Sequence, residues 1–165
     1  MSTEGIQDAS YRRFENGRWI AVSNGVIQEA RVCLRVNGRD LVSLMCTPLE
    51  LDALALGWLR NQGIIHGLPD VQRLTISPSR DCVDVWLRQV DCALPSHLTI
   101  TSGFGGGATF VDLIGRSQPL VSTTRVTAGQ VVRAMQALLA ASTLHQRAGG
   151  THSAALARGA MPYWR

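Results

Sequence analysis

The stretch from Val32 to Cys46 constrains this chain most. Val32, Leu34 and Val36 alternate with Cys33 and Arg35, then come Asn37-Gly38 and the apolar run Leu41 to Cys46. Alternation with a period of two marks a half-buried strand. Asn-Gly tolerates the positive φ angles of a two-residue hairpin turn. The segment therefore predicts an antiparallel hairpin. Asn16-Gly17 and Asn24-Gly25 carry the same turn signal.

A helix is expected next. Thr47 is a candidate N-cap, Pro48 suits the first helical position, and Glu50 completes a capping box. Leu51, Leu54, Ala55, Trp58 and Leu59 form one apolar stripe, and Gly63 is a natural stop. Strands are expected over 71–77, 82–88 and 97–101, with Pro78 and Pro95 as breaks. The glycine-rich loop Ser102 to Gly107 follows. Thr127 to Gln130 reads as a second capping box, opening a helix to about His145. Val131, Met135, Leu138, Leu139 and Ser142 lie roughly on its one side. An alanine-rich third helix is expected after Thr151. These elements divide the chain into a loose tail over 1–17, a β-rich front lobe with one helix over 18–95, and an α/β back half over 96–165.

The charged residues exclude several chemistries. All sixteen basic residues are arginine, so lysine Schiff bases and Walker-type phosphate loops are excluded. The net charge is +4, but only Arg12 and Arg13 are adjacent, so there is no basic block of the nucleic-acid-binding kind. No apolar run approaches the roughly 18 residues of a membrane helix. The polar start does not read as a secretory signal, and a cytoplasmic location is expected. The four cysteines, Cys33, Cys46, Cys82 and Cys92, are widely spaced without Cys-x-x-Cys. They read as buried thiols, and no tightly held metal is expected.

Four glycines, Gly103, Gly105, Gly106 and Gly107, fall within five positions. Such density suits either a flexible turn or backbone amides brought close to an anion. It is neither a dinucleotide fingerprint nor a Walker loop. His66, His97, His145 and His152 show no ligand spacing, and no nucleophile-base-acid order suggests a catalytic triad.

Three segments together resemble one family. The front run comprises Val36-Asn37-Gly38, Leu44 to Pro48, Leu54 to Leu59 with Gly57-Trp58, and Gln62-Gly63-Ile64-Ile65. The second segment is Ile100-Thr101-Ser102-Gly103-Phe104-Gly105-Gly106-Gly107. The third is Gly149-Gly150-Thr151-His152 through Leu156. In this order and rough spacing they resemble the FdhD/NarQ family of formate dehydrogenase accessory proteins.

The resemblance implies a cytoplasmic sulfurtransferase. Such a protein takes persulfide sulfur from a cysteine desulfurase and passes it to the molybdenum (or tungsten) bis-guanine-dinucleotide cofactor of formate dehydrogenase. It implies an α/β fold: a small mixed β-sheet lobe with one helix, then a cytidine-deaminase-like layered domain. Dimers are common in the family. The implied cofactor-binding residues are Ser102, Gly103, Phe104, Gly105, Gly106, Gly107, Gly149, Gly150, Thr151 and His152. A loop thiolate would carry the sulfur, with nearby amides lowering its pKa.

Two departures qualify that reading. The family's loop cysteines fall at Phe104 and Gly107, and phenylalanine cannot form a persulfide. Cys46 is the substitute carrier that the sequence offers, although it reads more simply as packing. The family normally continues well beyond His152, whereas Arg158 to Arg165 resembles nothing in that region, so the layered domain is expected to be incomplete, with an exposed edge unless a second copy covers it. Three functions follow as alternatives: the family's sulfur transfer, a non-catalytic cofactor-binding scaffold, or a decayed gene product. A deaminase-like zinc enzyme is excluded, because His-x-Glu and Pro-Cys-x-x-Cys are absent.

Overall fold

The computed structural model describes residues 5–88, 98–100, 121–158 and 161–163. The chain divides into two compact units, residues 28–117 and residues 1–27 with 118–165. The boundary at 27/28 lies ten residues beyond the one expected, because residues Ile6–Glu15 do not stay a loose tail. They contribute a strand.

The central unit is built on a five-stranded mixed sheet. Its strands are β3 (Ala30–Val36), β4 (Arg39–Cys46), β5 (Val71–Ile76), β6 (Cys82–Leu87) and β7 (Leu98–Ile100), in the order β5-β6-β3-β4-β7. β3 and β4 form the expected antiparallel hairpin, with Asn37 and Gly38 at φ 51° and 76°. β6 lies parallel to β3 and β7 parallel to β4, so two crossovers are needed.

Helix α1 (Leu51–Asn61) makes the first of these. Its Leu51, Ala55 and Leu59 are buried, in one cluster with Val32, Leu34 and Val36 of β3 and Val83, Val85 and Leu87 of β6. Leu54 and Trp58 pack at the margin of that cluster. Gly63, at φ 68°, ends the helix as expected: its amide donates to the Arg60 carbonyl at 3.1 Å.

The helix start differs from expectation. Glu50 takes the left-handed conformation, φ 43° and ψ 46°, and no side chain caps the helix. Residues 47–49 make a tight turn in which the Leu49 amide donates to the Thr47 carbonyl at 2.8 Å. The Arg80 guanidinium holds the Pro48 carbonyl at 2.9 and 3.2 Å. A contact 32 positions away therefore competes with the local capping signal.

In the other unit, β1 (Ile6–Glu15) pairs antiparallel with β2 (Arg18–Ile27) through ten registered pairs. Most of β1 is exposed. The ladder holds this strand more than any buried face does, and alternation therefore gave no warning of it. Asn16-Gly17 is the turn, with φ 52° and 75°.

Asn24-Gly25 is not a turn. Both residues lie inside β2, opposite Ala9 and Asp8. A Cβ at Gly25 would collide with Cγ2 of buried Ile6. The glycine allows close approach of the neighbouring strand here, where a turn had been expected.

Helix α2 (Ala128–Ala141) begins with the expected capping box. The Gln130 amide donates to Thr127 Oγ1 at 3.2 Å, and the Thr127 amide donates to Gln130 Oε1 at 2.7 Å. Val131, Met135 and Leu139 of its apolar stripe are about half exposed. The helix stops at Ala141 instead of reaching His145. Ser142 turns out of helical geometry, and a short helix α3 (Thr143–Ala148) follows. The expected third helix after Thr151 does not form; Leu156–Arg158 (β8) pairs instead with Met161–Tyr163 (β9). Among the described residues no helix is long and apolar enough to cross a membrane.

Candidate functional site

The face of the five-stranded sheet opposite the core carries the chemistry. In β3 and β6 the core residues alternate with Cys33, Arg35, Cys82, Asp84 and Trp86. The parallel register sets Cys33 beside Cys82 and Arg35 beside Asp84. Successive side chains of a strand point to opposite faces, so registered neighbours share one.

Both cysteines are half-buried free thiols. Their placement is well defined. The Cys33 amide donates to the Asp81 carbonyl at 2.8 Å, and the Cys82 amide to Ser77 Oγ at 3.0 Å. Ser77 and Ser79 hydroxyls donate to Asp81 Oδ1 at 2.7 and 2.6 Å, holding that carboxyl below its ordinary range. Asp40 Oδ1 accepts from Arg35 Nε at 2.6 Å and from Cys33 Sγ at 3.5 Å. Burial, followed by the charge and hydrogen bond of Cys82 and then by Asp40, pushes the Cys33 thiol up to about 12.

Cys46 lies elsewhere, half-buried against the core. Burial raises its thiol pKa, and Glu29 adds to the effect. That environment suits packing and opposes thiolate formation. Among the described residues no three His, Cys, Asp or Glu are grouped to hold a metal.

The second sequence-derived group, Gly149, Gly150, Thr151 and His152, follows α3 directly. Gly149 has φ 66° and ψ −172°, a conformation essentially confined to glycine, and Gly150 has φ 67°. The Gly149 amide donates to the His145 carbonyl at 2.8 Å, and the His145 ring Nδ1 lies 3.2 Å from Thr151 Oγ1. Ser142 Oγ and Ser153 Oγ are hydrogen-bonded at 3.0 Å, closing the same loop. No atom lies within 4 Å of a Cβ built on either glycine, and His152 is exposed. Among the described residues nothing fills the space on the side-chain side of these two glycines.

Ser102, Gly103, Phe104, Gly105, Gly106 and Gly107 lie outside the described residues, as does Cys92. Sequence reasoning missed the Cys33–Cys82 pair. Each cysteine alternates with core residues in its own strand, which was visible. That the two strands are neighbours, in register, was not.

Together these features define a mixed α/β protein with a paired-thiol sheet face and a glycine-histidine loop. The family model described as the FdhD/NarQ family matches residues 27–163, and the chain belongs to that family. Among curated relatives, the sulfur carrier protein FdhD of Staphylococcus haemolyticus is 25% identical over 164 residues, covering 96% of this chain and 62% of that protein. The Geobacillus kaustophilus protein of the same name is 29% identical over 152 residues, covering 88% and 57%. This chain therefore spans about three-fifths of the length of these relatives. A crystal structure from Desulfotalea psychrophila, assigned as a formate dehydrogenase accessory protein, superposes with a TM-score of 0.61 at 15% identity. It matches over 87% of this chain and 54% of its own.

Proposed function

We propose that this chain is an accessory protein for formate dehydrogenase that handles sulfur for the molybdenum or tungsten bis-guanine-dinucleotide cofactor, which it binds as a substrate. The family match over residues 27–163 carries this reading, because it takes in both glycine motifs. The family resemblance makes Gly103 to Gly107, and separately Gly149 to His152, the residues expected to bind the cofactor's pyrophosphates. The sulfur donor would be a cysteine desulfurase and the recipient enzyme formate dehydrogenase, in the cytoplasm. A cytidine-deaminase-like layer and a homodimer belong to the same reading.

Phe104 favours a second reading, a scaffold that binds cofactor without carrying sulfur on the loop. Two measurements separate them. A cysteine desulfurase with labelled cysteine is expected to leave protein-bound sulfane sulfur in the first case and none in the second. Thermal shift with GDP tests cofactor binding, and absence of stabilisation at millimolar ligand overturns the scaffold reading. Phe104→Cys is expected to raise sulfur acceptance; a folded variant that accepts no more sulfur than the parent removes the loop from the sulfur path.

A further inference from the structure

We propose that Cys33 and Cys82 form a two-thiol site that accepts sulfane sulfur from a persulfide donor and releases it as sulfide. This rests on the sulfur-handling reading above and assigns that chemistry to a sheet face outside the loop.

Geometry carries the proposal. Cys33 and Cys82 are registered partners on adjacent parallel strands, with both side chains on the polar face. Neighbouring strands lie roughly 4.8 Å apart. A disulfide needs Cα atoms about 4.4–6.8 Å apart, so the pair can be bridged without rearranging the sheet. Both thiols are half-buried, so each stays within reach of a reagent from solvent.

The surroundings assign the order of events. Cys33 keeps its proton, held by burial, Cys82 and Asp40. The Cys33 thiol donates to Asp40 Oδ1 at 3.5 Å, which leaves the first attack to Cys82. Its thiolate takes the terminal sulfur of the donor: Cys82–S⁻ + R–S–SH gives Cys82–S–SH + R–S⁻. The donor S–S bond breaks and a new one forms. Cys33 then attacks Cys82 Sγ: Cys33–SH + Cys82–S–SH gives Cys33–S–S–Cys82 + H2S. The sulfane sulfur is reduced by two electrons, the two thiols are oxidised by two, and the Cys33 proton leaves with the sulfide. A dithiol reductant restores both thiols.

The arginine-rich sequence makes the test direct. Cleavage after arginine places the four cysteines in four separate peptides, 32–35, 40–60, 81–88 and 89–116. The full chain is treated anaerobically with one equivalent of an alkyl persulfide, whose leaving group is a thiolate, then alkylated without reductant, digested and weighed. The expected result is peptide 32–35 disulfide-linked to 81–88, with loss of two hydrogen atoms and one sulfide released per chain. Cys33→Ser is expected to stop at an added sulfur on 81–88 without sulfide release.

Alkylation of both peptides as free thiols in the folded parent overturns the proposal. So does sulfur found only on Cys46 or Cys92, an outcome that would leave the family reading intact. Conversely, the linked peptide with no response to GDP supports the thiol site while the cofactor reading fails. The parent protein alone gives the decisive readout, so a variant that fails to fold leaves the test standing.

Discussion

Asn37 Oδ1 accepts a hydrogen bond from the Leu87 amide at 2.8 Å, fifty positions along the chain. The Asn37 amide in turn donates to the Val85 carbonyl at 3.0 Å. One residue thus makes the hairpin turn and extends the parallel ladder between β3 and β6. That ladder is what places Cys33 beside Cys82.

Asn37→Ala is therefore expected to cost about 1–3 kcal/mol, since it leaves the half-buried Leu87 amide unpaired and puts alanine at positive φ. Asn37→Asp keeps an acceptor and should lose less. Denaturant unfolding of the two variants checks the order, and equal losses would mean that the side-chain bond contributes nothing.

Gly25→Ala should destabilise the hairpin by roughly 1–3 kcal/mol, because its Cβ meets Cγ2 of Ile6. Ile6 is β-branched and only 6% exposed, so it cannot swing away freely. The loss should shrink in an Ile6→Ala background, as measured in a double-mutant cycle. An unchanged loss would place the cost elsewhere.

Two glycines are expected to respond oppositely to alanine. Gly149 occupies a glycine-only conformation, so Gly149→Ala should cost about 1–3 kcal/mol. Gly57 lies inside α1 with open space around it, and Gly57→Ala should stabilise by roughly 0.5–1 kcal/mol. Thermal unfolding of both variants distinguishes a conformational cause from a packing one.

Acid should weaken the central unit through two carboxylates. Asp81 is held below its ordinary 3.8 by the Ser79 and Ser77 hydroxyls. Asp70 is held down chiefly by the His66 amide, with help from Gly67. A depressed folded pKa means stability that is present above the unfolded value and lost as pH falls through the folded one. The denaturation midpoint should drop as pH falls below about 4. Asp70→Asn and Ser79→Ala should each make that drop shallower, and parallel curves would contradict the assignment.

Much of the central unit was legible because its signals are local. Alternation located β3 and β6; the apolar run after Asn37-Gly38 located β4, and that pair located the turn; the stripe from Leu51 to Leu59 located α1 and its buried side. Thr127 to Gln130 capped α2 as read, since a capping box involves only four consecutive residues. The failures share an opposite cause. Arg80 reaches Pro48 and displaces a local cap, and Ile6 requires the glycine at 25 that resembled a turn. Ser142 breaks α2 where its hydroxyl donates to the Leu138 carbonyl at 2.7 Å.

The same division runs through the function. Motif order sufficed for the family, because backbone conformations such as that of Gly149 demand particular residues wherever the chain goes. It also set Phe104 at the position where the family resemblance implies a sulfur-carrying cysteine. The sequence by itself thus determined the strands of the central sheet, the two main helices and the family. Only the tertiary structure decided that Cys33 and Cys82 are neighbours. Parallel pairing joins strands far apart in the chain, and its register depends on the packed core and on Asn37, neither of which is written in the residues flanking either cysteine.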